Sequence, residues 1–297
     1  MFKGAPRLNQ GFIASLTLSF YLYSIQKIKI FIFTGFPMKV VILCGGMGTR
    51  LREETEFRPK PMVEIGGKPM VWHIMKIYSH YGFNEFVLCL GYKGEMIKEY
   101  FLNFDLLNSD FTIEFGNSYK DIKVHNTRGR DKWKITLVDT GLQTMTGSRL
   151  KKIEQFIDTD NFMLTYGDGV ADININKLVE FHLSHKKCAT VTGVKPLARF
   201  GVLSIQGERV TEFSEKSQIK EGYINGGFFV LNRKVFDYIN VDDACVFEQE
   251  PMERLATDGE LMVYCHNGYW HCMDMLRDRD LLEKEWHQEN PAWKMWL

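Results

Sequence analysis

The chain has 297 residues, 45% hydrophobic and 25% charged, with 37 basic side chains balancing 37 acidic ones. A formal charge of zero, without a long run of one sign, excludes the electrostatic footprint of a nucleic-acid or membrane-surface protein. The length allows one large core, so a soluble globular enzyme acting on small molecules is the expectation.

Residues 1–37 differ from the rest, with Lys3, Arg7, Lys27 and Lys29 as their only charges; beyond them 33 basic residues face 37 acidic ones. The apolar run from Gly11 to Tyr23 is broken by Ser15, Thr17 and Ser19 and falls short of the ~20 clean apolar residues that span a bilayer. No small-x-small cleavage site closes it. The segment reads as a non-native or disordered extension, with one domain over residues 38–297.

Val40 to Cys44 is an apolar strand running into Gly45-Gly46-Met47-Gly48-Thr49-Arg50-Leu51, with Arg58-Pro59-Lys60-Pro61-Met62 close behind. Backbone without β-carbons can press its N–H groups against phosphate oxygens. Arg50 adds a planar cationic fork, and the prolines around Lys60 stiffen its backbone. Two familiar phosphate loops do not fit. Gly66-Gly67-Lys68-Pro69 lacks the Ser or Thr of a Walker A loop, and Leu51 stands where a dinucleotide loop needs its third glycine.

Further along, a helix is predicted from Pro69 to His80, a strand from Glu85 to Leu90 and a helix from Glu95 to Phe101. Such alternation argues an α/β fold: a Rossmann-like mixed, mostly parallel sheet with flanking helices. Phe111 to Asp139 reads as an inserted hairpin around the polar turn Asn126 to Arg130. Thr146 to Phe156 resumes as a helix with Leu150, Ile153 and Ile157 on one side, before a strand from Asn161 to Tyr166. The loops after strands, at Gly45, at Gly91-Tyr92-Lys93 and at Gly167-Asp168-Gly169, should meet on one edge.

Ala189 to Gly193, Gly201 to Ile205, Arg209 to Phe213 and Tyr223 to Leu231 read as strands of a smaller β subregion closing over a second ligand. Met275 to Gln288 is predicted helical. The tail Pro291 to Leu297, with Trp293 and Trp296, needs cover from a subunit or from its own chain. The six cysteines show no paired spacing and read as reduced thiols of a cytoplasmic protein. Neither Cys265-His266 nor His271-Cys272 has the spacing of a structural zinc site, and neighbouring strand residues face opposite ways.

Leu43-Cys44-Gly45-Gly46-Met47-Gly48-Thr49-Arg50-Leu51, Glu54-Thr55, Arg58-Pro59-Lys60-Pro61-Met62 and Ile65-Gly66-Gly67-Lys68-Pro69-Met70 together resemble the N-terminal signature of the sugar-1-phosphate nucleotidylyltransferases, a likeness that extends from Met38 to about Leu297. The resemblance implies a reaction in which a sugar phosphate attacks the α-phosphorus of a nucleoside triphosphate and pyrophosphate leaves, with Mg2+ and no covalent intermediate. It implies that Arg50 and Lys60 are catalytic and that Asp168 and Asp274 hold the metal. Leu43, Cys44, Gly45, Gly46, Met47, Gly48, Thr49 and Gly167 would contact the nucleotide, with Thr144 and Arg149 at positions that touch a cytosine nucleotide. Glu215, Lys216 and Asn225 would bind the sugar phosphate, although Ser217 stands where the family usually has proline. The segment Thr140 to Arg149 lacks the glutamine-rich pattern of UTP and dTTP relatives, which favours CTP, with α-D-glucose 1-phosphate as acceptor. UTP or dTTP remains the alternative donor. A non-catalytic regulatory subunit should lack some of Arg50, Lys60, Asp168 and Asp274, whereas all four are present. Assembly as a homo-oligomer is a further implication.

Overall fold

The computed structural model describes residues 38–116, 120–125, 131–195, 202–206, 208–214 and 222–296. Strand β1 (Val40–Leu43) is buried along its whole length. Four branched apolar residues without alternation suit a strand covered on both faces. Helix α1 (Met70–His80) leads to β2 (Glu85–Leu90), which runs parallel to β1 with Val41 opposite Val87. Helix α2 (Gly94–Leu102) follows.

The region predicted as an inserted hairpin is divided. Strands β3 (Phe111–Phe115) and β4 (Lys120–Val124) pair with each other, both upstream of the expected turn. The expected turn, residues 126–130, lies outside the described residues. Strand β5 (Lys134–Asp139) belongs to the main sheet, parallel to β2 at its edge. Its period-2 pattern does not distinguish a hairpin arm from an edge strand.

Helix α3 (Thr146–Lys152) is shorter than predicted and passes into a 3₁₀ turn at Glu154–Phe156, while Leu150, Ile153 and Ile157 are fully buried. Strand β6 (Asn161–Tyr166) flanks β1 in parallel on the other side. Then come β7 (Gly169–Ala171), α4 (Ile175–His185), β8 (Ala189–Val194), β9 (Val202–Gln206), β10 (Arg209–Ser214) and β11 (Ile224–Asn232). The chain continues through α5 (Glu250–Thr257), β12 (Leu261–His266), β13 (Trp270–Cys272) and α6 (Leu276–Trp286).

The main sheet has seven strands in the order β12-β8-β11-β6-β1-β2-β5. Only β11 runs against the others, so its first residues lie at the edge where β1, β2, β5 and β6 end. The expected subregion is thus resolved into two parts. β8 and β11 are inner strands of the main sheet, and β9 with β10 forms a separate two-stranded ribbon.

One face of the sheet packs Val41, Val87, Leu164 and Phe229 against Leu150, Phe236 and Leu255. Each such side chain contributes roughly 1.5–3 kcal/mol on burial. The C-terminal tail supplies its own cover, resolving the open choice in favour of an intramolecular contact. Trp293 is 1% exposed, stacks on Tyr269 at 5.8 Å and lies edge-on to His73, while Trp296 packs on Trp72 at 5.7 Å. Burial pushes the His73 imidazole down to about 4, so it is neutral here, with its Nε2 bonded to the Ile65 carbonyl at 2.8 Å. Among the described residues no helix is long and apolar enough to cross a membrane.

Candidate active site

The glycine loop begins where β1 ends. Cys44 N–H continues the ladder to the Cys89 carbonyl at 2.9 Å, and the chain then turns through Gly45 to Gly48 into a 3₁₀ turn, Thr49–Leu51. A β-carbon on Gly45 would stand 2.1 Å from Arg149 Nη1, so only glycine lets that guanidinium lie against the loop. Buried Arg149 bonds the carbonyls of Leu90 and Gly141 through Nη1 and those of Gly45 and Leu142 through Nη2. Burial lowers its pKa from the ordinary arginine value, yet a guanidinium stays charged at neutral pH. Arg149 therefore fastens the ends of β1 and β2 and the loop after β5 together. Thr144 is held beside it by Lys152 Nζ at 3.1 Å.

Lys60 starts a second 3₁₀ turn, Lys60–Met62, with extended Pro59 before it and Pro61 inside it. Its ammonium donates to Asp168 Oδ2 at 2.6 Å and to Asp274 Oδ1 at 2.8 Å, and its side chain is 12% exposed. Burial alone pulls the lysine pKa down; the charge of Asp168 and the bonds to both aspartates outweigh it and hold the pKa above the ordinary value. Arg50, largely exposed, reaches the other oxygen of Asp274 at 2.5 Å.

Two strands explain how aspartates 106 positions apart in sequence meet. β7 and β13 pair antiparallel with Gly169 opposite Cys272, and Met273 N–H donates to the Asp168 carbonyl at 2.8 Å. Asp274 sits just before α6, where Asp278 Oδ2 accepts from the N–H groups of Asp274 and Met275 at 3.0 and 2.8 Å. This capping box fixes the Asp274 backbone.

Asp168, Cys272 and Asp274 bring their donor atoms within 4.8 Å of one another. Two carboxylates of hard oxygen character fit a divalent cation completed by water or phosphate oxygens. Burial, and next the charge of Asp168, raise the Cys272 thiol well above its ordinary value against a smaller lowering by Lys60, and its soft sulfur suits a hard oxygen-seeking cation poorly.

These groups line one cleft of about 1400 Å³ at the strand ends. Leu43, Cys44, Gly45, Gly46, Met47, Gly48, Arg50, Lys60, Thr144, Arg149, Gly167, Asp168, Asn225 and Asp274 all border it. Thr49 does not, and Glu215 and Lys216 lie outside the described residues. The cleft also contains residues that the sequence reading missed. Tyr166, Glu248, Trp270, Cys272, Arg277 and Asp278 line it as well. Asp278 is an acidic residue in the first turn of α6, a helix-start signal; Tyr166, Trp270 and Cys272 reach the cleft through strand pairing that spacing does not reveal.

The family model for nucleotidyl transferases matches residues 39–282. The chain belongs to the nucleotidyl transferase family. Among the family's curated members, the glucose-1-phosphate cytidylyltransferase of Salmonella typhi is 51% identical over 260 residues, covering 87% of this chain and 100% of that protein. The probable glucose-1-phosphate cytidylyltransferase of Bacillus subtilis is 46% identical, with coverage of 87% and 100%. Among solved structures, HddC from Yersinia pseudotuberculosis superposes with a TM-score of 0.61 at 24% identity, covering 84% of this chain and 99% of that one.

Proposed function

We propose that this nucleotidyl transferase moves the cytidylyl group of CTP to α-D-glucose 1-phosphate, giving CDP-glucose and pyrophosphate. The observation that carries the reading is the junction of Lys60, Asp168 and Asp274 at the mouth of the glycine loop, in a chain about half identical to cytidylyltransferases across their full length. The attack brings two anions together and builds charge on departing pyrophosphate, so fixed cations and alignment are what the reaction requires.

The loop from Gly45 to Thr49 offers N–H donors to the triphosphate, and Arg50 orients its β and γ phosphates. Lys60 neutralises the α-phosphoryl centre. Asp168 and Asp274 would hold Mg2+, which when bound screens phosphate charge. Thr144 and Arg149 shape the base site. Asn225, Glu215 and Lys216 are the residues we propose for the sugar phosphate.

We place the enzyme in the cytoplasm and propose that it assembles as a homo-oligomer, a reading supported by the exposed apolar side chains Leu102, Leu107 and Phe115. Light scattering on the purified chain reads the assembly. Mixing CTP, glucose 1-phosphate and Mg2+ should release pyrophosphate together with CDP-glucose. Absence of pyrophosphate with every triphosphate would end the reading, and faster turnover with UTP or dTTP would move the base assignment.

A further inference from the structure

On the side of the cleft formed by β6, β11 and the start of α3, four side chains form one directed chain of hydrogen bonds. Gly227 N–H donates to Asn225 Oδ1 at 2.8 Å, which fixes which end of the amide is oxygen. Asn225 Nδ2 donates to the Tyr166 hydroxyl at 3.0 Å, and that hydroxyl donates to Glu248 Oε1 at 2.6 Å. The other carboxylate oxygen accepts from Thr146 Oγ1 at 2.6 Å, and Thr146 in turn accepts from Phe247 N–H at 2.9 Å. Every proton in the series is therefore aimed by its neighbour, starting from backbone donors at both ends. Gly227, at φ +79°, lets the Tyr166 ring lie flat against it, since a β-carbon there would come 2.6 Å from Cδ2.

Glu248 comes from the segment after β11 that also covers the start of α3, with Gly147 N–H donating to the Cys245 carbonyl at 2.9 Å. The backbone carbonyls of Asp243 and Cys245 hold α3 independently of the carboxylate. Tyr166, by contrast, has Glu248 as its acceptor, and without it the phenol proton is free to turn toward Asn225. Two donors would then face each other, and the Asn225 amide would lose its orientation.

We propose that Glu248 is a positioning residue for the sugar. By accepting from Tyr166 it leaves the second N–H of Asn225 pointing into the cleft as a fixed donor for one sugar hydroxyl. The inference deepens the reading of the site as one for a sugar 1-phosphate and rests on it.

The test compares the KM for each substrate in Glu248→Ala, Glu248→Gln and Tyr166→Phe. Loss of one oriented hydrogen bond should raise the KM for glucose 1-phosphate about tenfold in Glu248→Ala, with the KM for CTP changed less than about twofold. Tyr166→Phe should match it, Glu248→Gln should recover part of the loss, and the double variant should be no worse than either single one. Discrimination between glucose 1-phosphate and mannose 1-phosphate should narrow in the same variants. Equal changes in both KM values, or multiplicative effects in the double variant, would overturn the proposal. If Glu248→Ala does not fold, Glu248→Gln and Tyr166→Phe carry the comparison. Wild-type turnover reports separately on the functional reading. Should that fail, quenching of tryptophan fluorescence by glucose 1-phosphate, compared between wild type and Tyr166→Phe, still decides the role of the series: equal affinity would sink it.

Discussion

The two halves of the cleft are built by different means. On the side of β1, the site we propose for the triphosphate consists largely of consecutive backbone from Gly45 to Gly48, delivered by one buried strand. On the side of β11 and β13, the contributing side chains come from several strands, a helix and a loop, and hydrogen bonds between side chains hold the arrangement. A grip made of main chain tolerates changes in its side chains; one made of side chains is only as ordered as its weakest partner.

The largest expected effect lies where the halves touch. Lys60→Ala should lower turnover by ~10² or more, as loss of a donor aimed at developing charge does; steady-state kinetics with an unchanged rate would remove Lys60 from the chemistry. A second measurement sharpens the contact between the C-terminal tail and α1. His73 is neutral in the fold near pH 6 but protonates with a value of 6.5 when exposed, so the unfolded state binds more protons between about 4 and 6.5. Its stabilising effect is complete above that window and is lost as pH falls through it. Denaturant titrations from pH 7 to pH 5 should show a loss of about 2 kcal/mol from this group. The His73→Gln variant should lose that share of the slope, and an identical pH profile would contradict it.

Next in size, Asp278→Ala removes the cap that fixes Asp274. A lost cap costs ~1 kcal/mol, which lowers the melting temperature by about 2–4 °C in a domain of this size, and turnover should fall about tenfold as Asp274 drifts. Unaltered turnover with the lowered melting point would make Asp278 a purely local cap. The smallest effect is expected from deleting residues 1–37, which we propose to be dispensable: a chain starting at Met38 should match the full chain in turnover and melting temperature. A large loss would assign that segment to the fold.

The same contrast explains what could be read beforehand. A buried parallel strand followed by glycines announces itself through consecutive residues, so β1, its loop and the alternation through β2 were legible. Asp168 and Asp274 came forward through family likeness; their meeting depends on the register of Gly169 against Cys272, which no local spacing encodes. Cys272 was set aside by zinc-site spacing, a rule about neighbours in sequence, whereas its sulfur joins two carboxylates through strand pairing. Glu248 lies in an irregular segment with no periodic signal. The strand β5 was folded into a hairpin because its half-buried pattern is common to both. Trp293 looked exposed because tails usually are, but Tyr269, Trp286 and His73 provide a slot for it.

The clasp of Lys60 between Asp168 and Asp274 has a consequence for the idle enzyme. Two acidic groups that would otherwise repel are kept together by a tethered placeholder, so the site is assembled before any substrate arrives. On the proposed reading, a divalent ion entering there would compete with an occupant that cannot diffuse away, and a bound triphosphate would give the lysine another anion to meet. Manganese should therefore bind the substrate-free Lys60→Met variant more tightly than the wild type, as read by electron paramagnetic resonance, with the difference vanishing once nucleotide is added.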